Sequence, residues 1–244
     1  MLLQTESRRV NVGGAIIGYE VSGAGPPLVL IHGLSGSGRW WRNNLNAFAA
    51  HFRVYTLDLV GFGASRGGRF ELERAAFFLA AWLEHLYIAR THIVGHSMGG
   101  YIAADLAADF PHLVDRLVLV DPALLLQGGI VPRAVGLLRA APTLPLDFVP
   151  TLVYDALRAG PLTLTSAVMQ LLGGNLGEKL ARIDAPTLII WGQRDTLVPP
   201  ALAEPLAKAL PAVARVEVIA GAGHNPMWDK PARFNQLVLE FLNA

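Results

Sequence analysis

The stretch Gly95-His96-Ser97-Met98-Gly99 constrains the fold of this chain more than any other. It lies between a β-rich apolar run, Thr91-His92-Ile93-Val94, and a segment of helical character over 101–110. Glycines two residues before and two after a serine, at a strand-to-helix junction, permit a turn too tight for side chains on either flank. Such a turn holds the serine at a strained backbone angle and points its Oγ outward. The helix that starts there brings its N-terminus, which favours negative charge, beside the hydroxyl.

Around this turn the apolar pattern alternates between strands and helices. Residues 10–12 and 15–21, separated by Gly13-Gly14, read as a β-hairpin. Pro26-Pro27 precedes Leu28-Val29-Leu30-Ile31, an apolar run without alternation, as expected of a strand covered on both faces. Helical spacing follows over 41–51, a strand over 53–57, a helix over 71–86, the strand 91–94 and a helix over 98–110 that stops before Pro111. The strand 117–120 ends at Asp121-Pro122. Between Asp121 and Pro186 the composition shifts to proline, glycine and leucine with few charges. Short helices are expected there at 133–140, 151–159 and 163–172, and no strand. Alternation then resumes with a strand at 187–191, a helix at 201–210, a strand at 215–219 and a last helix at 231–242. This order predicts an α/β fold: a mostly parallel central sheet with helices on both faces. Residues 1–121 and 186–244 form its core, and 122–185 a helical cap insertion over the carboxyl edge of the sheet, where open α/β folds bind ligands.

Bulk properties narrow the partners. A chain of 244 residues with formal net charge +1 has no basic block, which argues against nucleic acid. Charged residues make up only 16%, yet no run approaches the roughly 18 to 20 apolar residues of a membrane span. Residues 1–10 hold Glu6, Arg8 and Arg9 and no apolar core, so no signal peptide is expected and the cytoplasm is the expected location. There is no cysteine, hence no thiolate nucleophile or thiolate metal site. No His or carboxylate cluster has metal-ligand spacing, and no glycine loop completes a nucleotide fingerprint, so neither metal nor cofactor is expected. A monomer or homodimer is expected.

A serine hydroxyl needs a general base, usually a histidine oriented by a carboxylate. Asp195 follows the strand 187–190 within Gly192-Gln193-Arg194-Asp195, and His224 follows the strand 215–219 within Gly223-His224-Asn225-Pro226. Ser97, Asp195 and His224 therefore all sit past strand ends at the same edge of one sheet. Asp121 also ends a strand and is a rival for the acid. Met98, the residue after the nucleophile, is expected to offer its backbone N–H to a developing oxyanion.

The chain order Ser, Asp, His, with His32-Gly33, the run Asp58 to Ser65, the serine turn and the Gly192–Asp195 and Gly223-His224 pair, resembles the α/β-hydrolase superfamily in its small-capped esterase-like branch. The resemblance runs from the hairpin to the last helix. It implies an α/β-hydrolase fold, a Ser97–His224–Asp195 triad and a second oxyanion donor, the N–H of Leu34. It also implies a small-molecule ester as substrate. His32 is read as structural, bonding the oxyanion-loop backbone; His96 as packing sideways; and Asp58 and Ser65 as fixing a turn. Trp40 or Trp41, just after the loop, and Leu125 in the leucine-rich segment are candidates for substrate contact, a core role being the alternative. The activity expected is hydrolysis of short- to medium-chain or aryl carboxylic esters. Alternatives are a carbon–carbon bond hydrolase, a lactonase, a perhydrolase, or a ligand receptor that retains the fold.

Overall fold

The computed structural model describes residues 4–66, 68–124, 144–211 and 214–244. In chain order its strands are β1 (Thr5–Val12), β2 (Ala15–Ser22), β3 (Pro27–Ile31), β4 (Arg53–Leu57), β5 (Thr91–His96), β6 (Val114–Val120), β7 (Thr187–Gly192) and β8 (Ala214–Ile219). They form one 8-stranded sheet in the order β1-β2-β4-β3-β5-β6-β7-β8. β1 and β2 pair antiparallel, as do β2 and β4, and every later pairing is parallel. The mostly parallel sheet predicted from the alternation is therefore present, with the expected hairpin at one edge.

The strands are apolar on both sides because both sides are covered. Val29, Ile31, Ile93, Leu117, Leu119 and Ile189 face one core, and Leu28, Leu30, Val94, Val118, Leu188 and Ile190 face another. On the first face lie α2 (Leu72–His85) and α3 (Met98–Asp109), through residues such as Leu79, Trp82 and Ile102. On the second lie α1 (Leu45–Ala49) and the C-terminal helix Pro231–Leu242, through Phe48, Phe234 and Val238. Period-2 alternation on strands buried both ways gives two apolar sets rather than one apolar and one polar set.

The predicted helix at 41–51 is broken. A 3-10 turn covers Gly38–Trp41 and α1 begins only at Leu45. The buried Asn44 at the break sends its Nδ2–H to the Met227 carbonyl at 3.0 Å and to Asn235 Oδ1 at 2.7 Å. Its backbone N–H closes a 3-10-type bond to the Trp41 carbonyl at 2.9 Å instead of a continuous α-helical ladder.

Between β6 and β7 the described residues form α4 (Val149–Ala159), α5 (Pro161–Gly173) and α6 (Gly177–Leu180), with no strand among them. The expected helix at 133–140 lies outside the described residues. Several polar contacts tie these helices to the sheet and its flanking helices, among them ion pairs from Lys179 of α6 to Asp105 and Asp109 of α3. Gln170 Oε1 accepts the Leu72 N–H at the start of α2, at 2.8 Å. Asp155, fully buried on α4, accepts from Ser37 Oγ at 2.7 Å and pairs with Arg39 at 2.5 Å. After β7 follow α7 (Ala203–Ala209), α8 (Pro226–Asp229) and α9 (Pro231–Leu242). Among the described residues no helix is long and apolar enough to cross a membrane.

Candidate active site

Ser97 sits between the last residue of β5 and the first of α3 with φ +54° and ψ −115°, a left-handed conformation that a non-glycine residue adopts only under constraint. The constraint is visible in its neighbours. A Cβ at position 95 would lie 2.4 Å from the Gly99 carbonyl oxygen, and one at position 99 would lie 2.5 Å from the carbonyl oxygens of both Ile31 and His32. The helix can start this close to the sheet only because both flanking residues lack side chains. The Ser97 N–H donates to the Val120 carbonyl at 2.9 Å, which anchors the turn to β6.

His224 and Asp195 stand in the loops after β8 and β7. His224 Nε2 lies 3.0 Å from Ser97 Oγ, placed to accept its proton, and His224 Nδ1 lies 2.7 Å from Asp195 Oδ2. Asp195 Oδ1 accepts the N–H groups of Leu197 at 2.8 Å and Val198 at 3.0 Å. Asp195 is buried, which raises a carboxyl pKa. The charge and hydrogen bond of His224 and the Val198 N–H oppose that effect and hold it below the ordinary carboxylate value. All three residues singled out in the sequence thus meet at one sheet edge.

The loops bearing Asp195 and His224 touch directly. A Cβ on Gly192 would fall 1.8 Å from the Gly223 carbonyl oxygen, so only glycine admits this approach. Two side chains hold the histidine loop by its backbone. Asp229 Oδ2 accepts the Gly223 N–H at 2.6 Å, and His96 Nε2–H donates to the His224 carbonyl at 2.7 Å. His96 is fully enclosed, with its ring 4.9 Å from that of His224, and its Nδ1 has no partner. Burial, then the neighbouring His224, pushes its pKa down to about 3, so its ring is neutral. The sequence did not single out Asp229. Its signal is an acidic residue in the short helical turn that follows the histidine loop, a pattern too common on surfaces to stand out alone.

The loop after β3 passes over the serine: a Cβ on Gly33 would lie 3.1 Å from Ser97 Cβ. Among the described residues neither the Leu34 N–H nor the Met98 N–H donates to a protein acceptor. His32 is structural, as read from the sequence. Its Nδ1–H donates to the Gly33 carbonyl at 2.8 Å and its Nε2 accepts the Leu59 N–H at 3.0 Å. Asp58 accepts the N–H groups of Gly38 at 2.7 Å and Ala64 at 2.6 Å, so it fixes the base of this loop as well as its own turn.

The substrate-contact candidates separate. Trp40 is buried with its ring centroid 5.8 Å from that of His96 and 5.1 Å from that of Phe148, which places it behind the site. Trp41 takes the core role given as its alternative: it has no exposed surface and packs against Phe234 of α9, on the core side of the loop, because the 3-10 turn points consecutive residues in different directions. Leu125 lies outside the described residues. Of the other leucines in the inserted segment, Leu124 and Leu171 are core residues, whereas Leu162 is exposed.

Asp121, at the end of β6, completes the group. It is fully buried with φ +41°, and its Oδ1 accepts the Gly192 N–H at 2.9 Å. Ligand-type atoms of Asp121, Asp195 and His224 lie within 4.8 Å of one another. Such a set could hold a cation by distance, but the Asp195 oxygens already accept two N–H groups and face the imidazole. Burial first, and then the Asp195 charge, raise the Asp121 pKa well above the carboxylate range.

Comparison with known proteins places the chain in a family. The chain is 34% identical over 266 residues to the 2-hydroxy-6-oxononadienedioate/2-hydroxy-6-oxononatrienedioate hydrolase of Burkholderia vietnamiensis, covering 92% of this chain and 90% of that protein. Among solved structures it is similar to a meta-cleavage product hydrolase of Pseudomonas fluorescens, with TM-score 0.79, 25% identity and 97% of each chain covered. It is also similar to a bacterial membrane phospholipase A, with TM-score 0.84, 27% identity, and 98% of this chain and 86% of that one covered. The profile of the alpha/beta hydrolase family matches residues 28–237, and the chain belongs to that family.

Proposed function

We propose that this hydrolase cleaves carboxylic esters through an acyl-enzyme on Ser97. His224 removes the Ser97 proton as Oγ attacks the ester carbonyl. Asp195 holds the imidazole by Nδ1–H and stabilises the imidazolium that forms. The N–H groups of Leu34 and Met98 receive the oxyanion, each such donor contributing about 3 to 4 kcal/mol to the transition state. The imidazolium then protonates the departing alcohol, and water releases the acid along the same path. The observation that supports this reading is the unbroken line Ser97 Oγ, His224 Nε2, His224 Nδ1, Asp195 Oδ2, at 3.0 Å and 2.7 Å. Trp40 supports the oxyanion loop from behind, since a Cβ on Gly36 would meet its ring at 2.9 Å. The helices between β6 and β7 act as a cap, and the apolar character of segment 122–185 favours short- to medium-chain or aryl acyl groups.

A second reading, carbon–carbon bond hydrolysis of a vinylogous diketone, is favoured by the likeness to the Burkholderia vietnamiensis hydrolase. Steady-state release from p-nitrophenyl esters of graded acyl length, set against a vinylogous diketone, decides between them. The ester reading expects kcat/KM on a short or medium ester to exceed that on the diketone, with Ser97→Ala lowering it by at least about 10⁴-fold. Faster diketone cleavage transfers the assignment to the second reading. Near-wild-type activity in Ser97→Ala removes the serine from both.

A further inference from the structure

We propose that Asp121 is a neutral carboxylic acid that hydrogen-bonds Asp195 from behind the triad and serves as the reserve counter-charge for His224. The inference rests on the proposed roles of Ser97, His224 and Asp195. Its basis is an inventory of donors. Asp195 accepts two backbone N–H groups on Oδ1 and the imidazole N–H on Oδ2, so three donors stabilise its negative charge. Asp121 has one, the Gly192 N–H on Oδ1, while its Oδ2 is buried and receives no donor. A bare carboxylate oxygen without a donor in the interior is strongly disfavoured, and two carboxylates this close do not both ionise. The anion therefore sits on Asp195 and the proton on Asp121, whose O–H then has Asp195 as its acceptor.

The charged groups facing Asp121 agree. Asp195 after β7 and Asp229 in α8 both act against ionisation of Asp121, and the Gly192 N–H acts for it; the facing His224 imidazole is already paired through Nδ1 with Asp195. The backbone is committed to the arrangement as well. The Asp121 N–H donates to the Ile190 carbonyl at 2.9 Å, and the residue is held at a left-handed φ of +41° although it is not glycine. β6 thus presents a second carboxyl group within 4.8 Å of the same imidazole, in a state that leaves Asp195 as the working anion. If the Asp195 charge is removed, the repulsion keeping Asp121 protonated disappears. Asp121 can then release its proton to solvent and accept the His224 Nδ1–H instead.

Two measurements test this. Infrared spectroscopy of the wild type at neutral pH should show a protonated-carboxyl C=O band that is absent from Asp121→Asn. This readout needs no turnover, so it stands or falls separately from the esterase reading, which Ser97→Ala tests. The second is a cycle of Asp121→Asn, Asp195→Asn and the double variant, with folding checked by thermal melts. Asparagine at 121 keeps an acceptor for Gly192 and a donor for Asp195, so kcat should fall by at most about tenfold, the worth of one hydrogen bond, with KM unchanged. Asp195→Asn should fall by roughly 10²-fold, short of the ~10⁴-fold typical when a triad loses its only acid, and the double variant should reach that full loss. Should the double variant not fold, Asp121→Ser in the Asp195→Asn background replaces it. Absence of the carboxyl band, equal rates for Asp195→Asn and the double variant, or a loss beyond about 10³-fold in Asp121→Asn alone overturns the proposal.

Discussion

His96 ends β5, immediately before the turn residue Ser97, and its ring serves the backbone of another residue, donating to the His224 carbonyl. Its enclosure has a consequence for stability. The unfolded chain takes up a proton at the ordinary imidazole value of about 6.5, whereas the folded protein refuses it until about pH 3. The stability associated with the neutral ring is complete above pH 6.5 and falls as pH drops through that window, by up to about 1.4 kcal/mol per pH unit. Urea melts at pH 7, 6 and 5 should show a shallower acid decline for His96→Asn than for the wild type; parallel declines would show that His96 is not a source of the acid sensitivity. At this scale the sequence was most legible where chemistry and backbone coincide. Ser97 is marked by its two glycines, and His224 and Asp195 by their place after strand ends. Trp41 was not legible, because the sequence alone does not show toward which side a short 3-10 turn aims each of two adjacent tryptophans.

Among the elements, α4 carries a buried polar tie to the stretch that follows β3. Asp155 is buried on it, and both its partners, Ser37 and Arg39, belong to the stretch just beyond the loop that follows β3. The Arg39 guanidinium also lies over the Tyr154 ring of α4, 4.7 Å from its centroid. Removing a buried carboxylate leaves an arginine and a hydroxyl without their acceptor. Because the Arg39 side chain is 46% exposed, water softens the loss, and Asp155→Ala should cost about 1 to 3 kcal/mol rather than the larger penalty of a fully enclosed pair. Chemical denaturation reads the change, and limited proteolysis should show faster cleavage within 144–160; an unchanged melt and digestion pattern would mean the tie is not structural. The positions of the central strands were legible because doubly covered strands are continuous apolar runs, and the C-terminal helix was legible because Pro231 opens it and the apolar spacing continues to Leu242. The role of Asp155 was hidden. An acidic residue on an amphipathic helix reads as solvent-facing until the partner surface is known.

At the scale of the whole molecule, Ser97, Asp195 and His224, far apart in sequence, meet because β5, β7 and β8 run parallel and end at one edge. The α/β architecture and its mostly parallel sheet were legible from the strand–helix alternation. The meeting of the Asp195 and His224 loops at Gly192 and Gly223 was not, since a glycine chosen for close approach looks the same as one chosen for a turn. The central claim is that this convergence makes Ser97 a nucleophile activated by His224. Intact-mass spectrometry after brief exposure to a fluorophosphonate, followed by peptide mapping, tests it most directly. One adduct on Ser97 in the wild type, slowed by orders of magnitude in His224→Ala and absent in Ser97→Ala, is the expected result. An unlabelled wild type, or a label on another residue with Ser97 unmodified, would contradict it.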